Sequence, residues 1–246
     1  VIAGVLPQYD WLHLHHEDFT GQYGKFYRMY RNAPWYLEQV RESEAMAAEL
    51  GFTKVSRMKG AVAGAIRDYV AGGGYLFTMC SGTDSYDIAL AAEGVDICAS
   101  EFDHDPVDPA WPQKIDFSRG FAFQNYRLIT DPMIYEFSDI DATDLHGSIG
   151  ETRDFFTLFE FSAKWDVIPA MLCQNHEQVV HGFMGQTTAF RKNLVKPGVL
   201  VMGENKPQGT AKFVHGEFGL GQWTYYGGHD PEDYQHMVGD PPTDLS

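Results

Sequence analysis

The run Tyr75-Leu76-Phe77-Thr78-Met79-Cys80-Ser81-Gly82-Thr83-Asp84-Ser85 (YLFTMCSGTDS) organises the reading of this chain. Tyr75 to Met79 is a short continuous apolar run, the pattern of a buried central strand. Cys80 falls at its end, and Thr83 to Ala92 reads as a helix with Gly94 just past its stop. Upstream, Met58 to Val70 is a second predicted helix, closed by Gly72-Gly73-Gly74. The unit is therefore helix, strand, sharp turn, helix. Such a turn exposes its central side chain at the carboxyl edge of a sheet, and small neighbours let strand and helix pass closely. A helix amino terminus favours a thiolate there. The next backbone N–H, that of Ser81, is placed to donate to an oxyanion. The plainer alternative is a structural cysteine at a strand end.

Working outward, Asp10 to His15 alternates polar and apolar residues and predicts a strand. It runs into a turn-rich loop, His16 to Gly24. Pro34 to Leu50 predicts a helix stopped by Gly51. Phe102 to Trp111, rich in acids and prolines, reads as loop, and Ile115 to Asp141 mixes short apolar runs with turns. His146 to Arg153 reads as an exposed excursion. The last third is strand-rich: Val167 to Leu172, Gly182 to Phe190, Val199 to Met202, Ala211 to His215 and Gln222 to Tyr226. Residues 1–238 are expected to form one α/β domain with extra antiparallel strands, and 239–246 a flexible tail.

Composition narrows the function. The 246 residues are 44% hydrophobic and 21% charged, an ordinary globular balance. Asp plus Glu is 34 against 18 Lys plus Arg, a formal net charge of -16 with no local basic patch. Nucleic-acid phosphates are repelled by such a chain. No apolar stretch reaches the ~18 residues of a membrane helix. Three cysteines, Cys80, Cys98 and Cys173, are too few for a disulfide framework and leave room for one reactive thiol. Compartment and homo-oligomeric assembly stay open, and no cofactor is called for.

A cysteine nucleophile needs a base. His229 follows the predicted strand Gln222–Tyr226 and the break Gly227-Gly228, with Asp230 and Glu232 close behind to orient its ring. A surface polar turn is the alternative. The second cluster is His13, His15, His16, Glu17 and Asp18. His13 and His15 share one strand face, and imidazole with carboxylate suits a transition metal, with His215, Glu217 and His236 as further ligands. No HExxH or CxxC pattern accompanies them, so no metal is assigned. The same loop is better placed to serve the oxyanion and substrate, through His16, Glu17, Gly21, Gln22, Tyr23 and Gly24. Dense aromatics from Tyr23 to Tyr36 read mainly as packing. Gln186, Thr187 and Thr188 are candidates for polar ligand contact.

Strand–Cys–Gly–helix followed by a late His with Pro-Glu resembles the class I glutamine amidotransferase-like superfamily. Its G-x-C-x-G elbow corresponds to Thr78-Met79-Cys80-Ser81-Gly82, with Thr78 in place of the first glycine. Its H-P-E element corresponds to His229-Asp230-Pro231-Glu232, with one residue inserted. The segments WLHLHHEDFTGQYGKFY, NAPWYLEQV, FEFSAKWD, GFMGQTTAFRK and YGGHDPEDYQH are similar to a bacterial group carrying the name asparagine synthetase B. The resemblance implies a flavodoxin-like sheet with helices on both faces. It also implies a strand preceding Asp10–His15, upstream of Val1. Ser81 to Ser85 is one residue short of the S-G-G-x-D-S phosphate loop, so an ATP cradle is not expected.

The expected function is a cysteine-dependent, amidase-like hydrolase of a polar small molecule, amides included. Cys80 attacks, His229 moves the proton, and Glu232 or Asp230 orients it. Ser81 and the Gly21–Gly24 loop hold the oxyanion. The rivals are a non-catalytic carbohydrate- or metabolite-binding protein of the same fold and a metal enzyme built on the histidine-rich strand.

Overall fold

The computed structural model of the protein describes residues 1, 4–144, 155–158, 179–181 and 186–228. The architecture is mixed α/β. The strands are β1 (Trp11–Leu14), β2 (Tyr75–Met79), β3 (Phe155–Leu158), β4 (Val179–His181), β5 (Phe190–Arg191), β6 (Leu200–Asn205), β7 (Thr210–Phe218) and β8 (Gly221–Tyr226). They form one sheet in the order β1-β2-β8-β7-β6-β3-β4, with β5 pairing off β7. β1, β2 and β8 run parallel, and the remaining pairs are antiparallel. Leu14 lies level with Thr78, and Met79 with Tyr226. Three parallel strands therefore end at one edge, where a doubly wound sheet places its ligands.

The helices are α1 (Tyr27–Tyr30), α2 (Pro34–Glu49), α3 (Val55–Ala71), α4 (Ser81–Ala91), α5 (Ser100–Asp103) and α6 (Trp111–Lys114). Pro34 occupies the first turn of α2, where its missing N–H costs nothing. α3 begins three residues before the predicted Met58. Val55 and Met58, one turn apart, are both buried with Tyr36 and Phe102, and that burial draws the first turn into the helix. α4 starts directly after Cys80, two residues earlier than predicted, so the strand enters the helix with no loop between them.

β2 alternates. Leu76 and Thr78 are buried, whereas Tyr75, Phe77 and Met79 are half-buried. Leu76, Trp223 and Tyr225 join Ile66 and Val70 of α3 and Ile88 of α4 in the main core. Each such apolar side chain contributes ~1.5–3 kcal/mol by leaving water. On the opposite face Trp11 packs on Tyr75 and Phe77 and stays 56% exposed. α3 and α4 thus pack on the face that carries Leu76, Trp223 and Tyr225. The dense aromatics Tyr23 to Tyr36 do pack, building a second core with Val55, Met58, Cys98 and Phe102.

The predicted strand Gly182–Phe190 is a further difference. Among its described residues, 186–189 are irregular, with Thr187 at φ 55°, and the strand β5 is Phe190–Arg191; 182–185 lie outside the described residues. The predicted excursion at 146–153, the strand at 167–172, Cys173 and the tail 239–246 lie outside the described residues. Among the described residues, no helix is long and apolar enough to cross a membrane.

Candidate active site at the strand–helix elbow

Cys80 has φ 52° and ψ −138°, a conformation that L side chains avoid. Holding it costs about 1–3 kcal/mol, and such strain persists only where the surroundings enforce it. Here they do. The Cys80 N–H donates to the Tyr226 carbonyl (3.1 Å), and the Cys80 carbonyl accepts from the Thr83 N–H (3.0 Å) and hydroxyl (2.6 Å). Gly82 is required by the same geometry. A Cβ there would stand 2.5 Å from Thr78 Oγ1 and 3.5 Å from Glu17 Oε2.

The thiol is fully buried and donates to the Gln186 carbonyl at 2.7 Å. Burial pushes its pKa well above the ordinary value, the Ser81 N–H pulls it down, and Asp84 and Asp141 push it up again. Both carboxyls are buried. Asp84 is raised well above the usual carboxylate range by burial and by Asp141, against bonds from Thr187 and Ser85. Asp141 is raised to about 7, first by burial, although Thr143 donates to it through both N–H (2.8 Å) and hydroxyl (2.5 Å). Thr187 ties the acids together: its N–H donates to Asp141 Oδ2 (3.0 Å) and its hydroxyl to Asp84 Oδ1 (2.9 Å). Its carbonyl accepts the Gly228 N–H (2.9 Å), the last described residue before His229. Gln186 Nε2 donates to the Gly24 and Tyr135 carbonyls.

The segment Gln186–Thr188, read from sequence as a ligand contact, thus clamps the elbow. His229, Asp230 and Glu232 lie outside the described residues. The Ser81 N–H bears on the thiol. The proposed oxyanion loop reaches the elbow through the Gly24 carbonyl, which accepts from Gln186, and its other groups make these contacts. Gly21 has φ 84° and presses on the backbone of Ser56 in α3. Gln22 is buried, its amide donating to Thr20. Tyr23 is in the second core against Tyr36 and Phe102. The Gly24 N–H is committed to Asp18 Oδ2 (3.1 Å), so it is not free for an oxyanion. Asp18 shapes this loop, also accepting from the Thr20 N–H and hydroxyl. Glu17 does reach the elbow, and its carbonyl accepts from the Ser85 hydroxyl (3.0 Å). The His16 ring stacks edge-on against His15 at 4.0 Å, and burial with His15 lowers its pKa to about 4, leaving it neutral.

The histidine-rich metal set does not converge among the described residues, and His236 lies outside them. His215 bonds Thr224 (3.0 Å) within the sheet. The described group whose ligand atoms approach one another is Asp96, Cys98 and Asp103. That space holds Lys54, whose ammonium bonds Asp96 (2.6 Å), Asp103 (3.1 Å) and Asp105. The residues that sequence reasoning passed over are Asp84 and Asp141. Asp84 was legible, one helical turn after Cys80; Asp141, in a turn-rich stretch, carried no local signal.

No family model and no curated protein matches the chain. Two solved structures are weakly similar. One is a cytoplasmic protein from Salmonella typhimurium, 11% identical at TM-score 0.40, covering 93% of this chain and 63% of that one. The other is a catalytic mutant of a GH42 β-galactosidase from G. stearothermophilus, 13% identical at TM-score 0.27, covering 70% of this chain and 18% of that one. The chain therefore spans less than two thirds of either structure.

Proposed function

We propose that this protein is a cysteine-dependent, amidase-like hydrolase of a polar small molecule, on a sheet of the flavodoxin-like, class I glutamine amidotransferase-like type. The observation that carries the reading is the strained Cys80 backbone at the edge where β1, β2 and β8 all end. A cysteine serving only to pack has no need of that conformation, which costs stability. The Cys80 sulfur attacks the substrate carbon. His229, three residues beyond the end of β8, takes and returns the proton, oriented by Glu232 or Asp230. The Ser81 N–H faces the developing charge.

One observation favours a second reading, a non-catalytic metabolite-binding protein of the same fold: the thiol is fully buried, and burial raises its pKa. Alkylation of Cys80 by iodoacetamide across pH 6 to 9, in wild type and His229→Ala, separates the two. The hydrolase reading predicts a titrating rate that falls about tenfold or more without His229. A slow rate independent of His229 favours the binding reading.

A further inference from the structure

We infer that the elbow takes a cationic amidinium or guanidinium group, selected by Asp84, rather than a neutral carboxamide. This rests on Cys80 being the nucleophile. Three buried oxygens here lack a hydrogen-bond partner among the described residues: Asp84 Oδ2, Thr78 Oγ1 and Glu17 Oε2. Asp84 and Thr78 are completely buried. Thr78 and Glu17 flank Gly82, in the first turn of α4 after Cys80. A buried acceptor without a donor is costly, and native structures keep few of them. The Gln186 carbonyl, now holding the thiol, becomes another acceptor once the thiol loses its proton. Glu17 Oε2 and an ionised Asp84 Oδ2 accept only, and the Thr78 hydroxyl can accept as well as donate, so the set suits a ligand rich in N–H donors.

Charge points the same way. The carboxyls bearing on the thiol are Asp84 and Asp141, coupled through Thr187. Addition of a thiolate to a neutral amide makes an oxyanion, a negative charge beside two carboxyls whose own ionisation burial already opposes, whereas an entering cation favours the ionised form of Asp84. The Gly24 N–H, bonded to Asp18, is not available to hold it. Addition to an amidinium carbon instead joins an anion to a cation and gives a neutral tetrahedral adduct, which needs no oxyanion hole.

The chemistry balances as a hydrolysis. The Cys80 S–C bond forms as the C=N π pair moves onto nitrogen. The thiol proton passes to one amino group, which leaves as ammonia, giving a cationic S-linked thiouronium from a guanidinium or a cationic thioimidate from an amidinium. Water adds to that carbon, the C–S bond breaks, and the thiol is restored. Guanidinium plus water yields a urea plus ammonium.

The test compares 2-chloroacetamidine with its neutral isostere 2-chloroacetamide, with labelling at Cys80 and Cys98 followed separately by peptide mapping. The expected result is a preference for the amidine at Cys80 about 100-fold beyond that of a small free thiol. Asp84→Asn, which keeps the acceptor for Thr187 and removes the charge, is expected to cut that preference at least tenfold. Glu17→Gln serves as the second variant if Asp84→Asn does not fold. Two results would overturn the inference but leave the hydrolase reading standing: Cys80 outpacing Cys98 with no amidine preference, or a preference that survives loss of the Asp84 charge. If neither reagent labels Cys80 faster than Cys98, the nucleophile reading falls and the inference with it.

Discussion

Cys80 and Cys98 are both fully buried thiols set among aspartates, and they differ in what answers the acids. Around Cys98, Asp96 and Asp103 face the Lys54 ammonium. Burial works against that cation, but bonds to Asp105, Asp96 and Asp103 outweigh it and hold its pKa above the ordinary value. Around Cys80, Asp84 and Asp141 share Thr187, and Asp84 keeps an oxygen without a partner among the described residues. Asp87, three residues along the same helix, shows how a buried acid is satisfied when it serves the fold. It accepts from the N–H groups of Phe121 (2.6 Å), Ala122 (2.8 Å) and Phe123 (3.1 Å). Buried neutral hydroxyls of Tyr69, Tyr86 and Tyr126 are also without partners among the described residues in the main core, so the contrast lies in the carboxyls: Asp87 is closed by three N–H groups and Asp84 keeps one oxygen open.

Substitutions can break this contrast, and the largest effect is expected at Asp87. Asp87→Ala strands three buried donors and should cost about 4 kcal/mol in urea unfolding. A loss below ~1 kcal/mol would show that its bonds are not structural. Lys54→Met comes next, leaving Asp96 and Asp103 without their cation. Because these groups are partly exposed, about 2–3 kcal/mol is expected, less than a fully buried pair. The Asp96, Cys98 and Asp103 ligand atoms lie within 4.8 Å of one another, so zinc should raise the melting temperature of Lys54→Met and not that of wild type. Gly82→Ala forces a Cβ to 2.5 Å from Thr78 Oγ1 and should cost about 2 kcal/mol.

The smallest effect has the opposite sign. Asp84 has a pKa raised in the folded state, so its ionisation opposes folding. The folded protein holds the proton that the unfolded chain has released, and stability falls as pH rises above the unfolded value near 3.8. Asp84→Asn should therefore stabilise the protein by about 1 kcal/mol at neutral pH, with the gain fading toward pH 4. Melting temperatures of both proteins from pH 4 to 8 read this directly. A constant difference, or a loss at neutral pH, would place Asp84 with the structural acids.

The elbow was legible because it is local. Tyr75 to Ser85 holds strand, turn and helix within eleven consecutive positions, and the limits of β2 match the reading exactly as Tyr75–Met79. Asp84 was readable by helical spacing alone. The rest of the site comes from afar. The Cys80 to Gln186 bond spans 106 positions and the Asp84 to Thr187 bond 103, distances no periodicity crosses. The bond from the Gly24 N–H to Asp18 was not legible in the loop for a related reason. Its glycines signal tight turning, but Ser56, Asp18 and the aromatics around Tyr36 decide which way its N–H groups point. The strand order, with β2 beside β8, is likewise a long-range outcome.

The most direct measurement of the central claim is the iodoacetamide labelling rate of Cys80 relative to Cys98 within one folded sample, each normalised to its rate in the urea-unfolded protein. A nucleophilic Cys80 is labelled at least tenfold faster than Cys98. Equal protection of the two thiols would contradict it and make both cysteines structural.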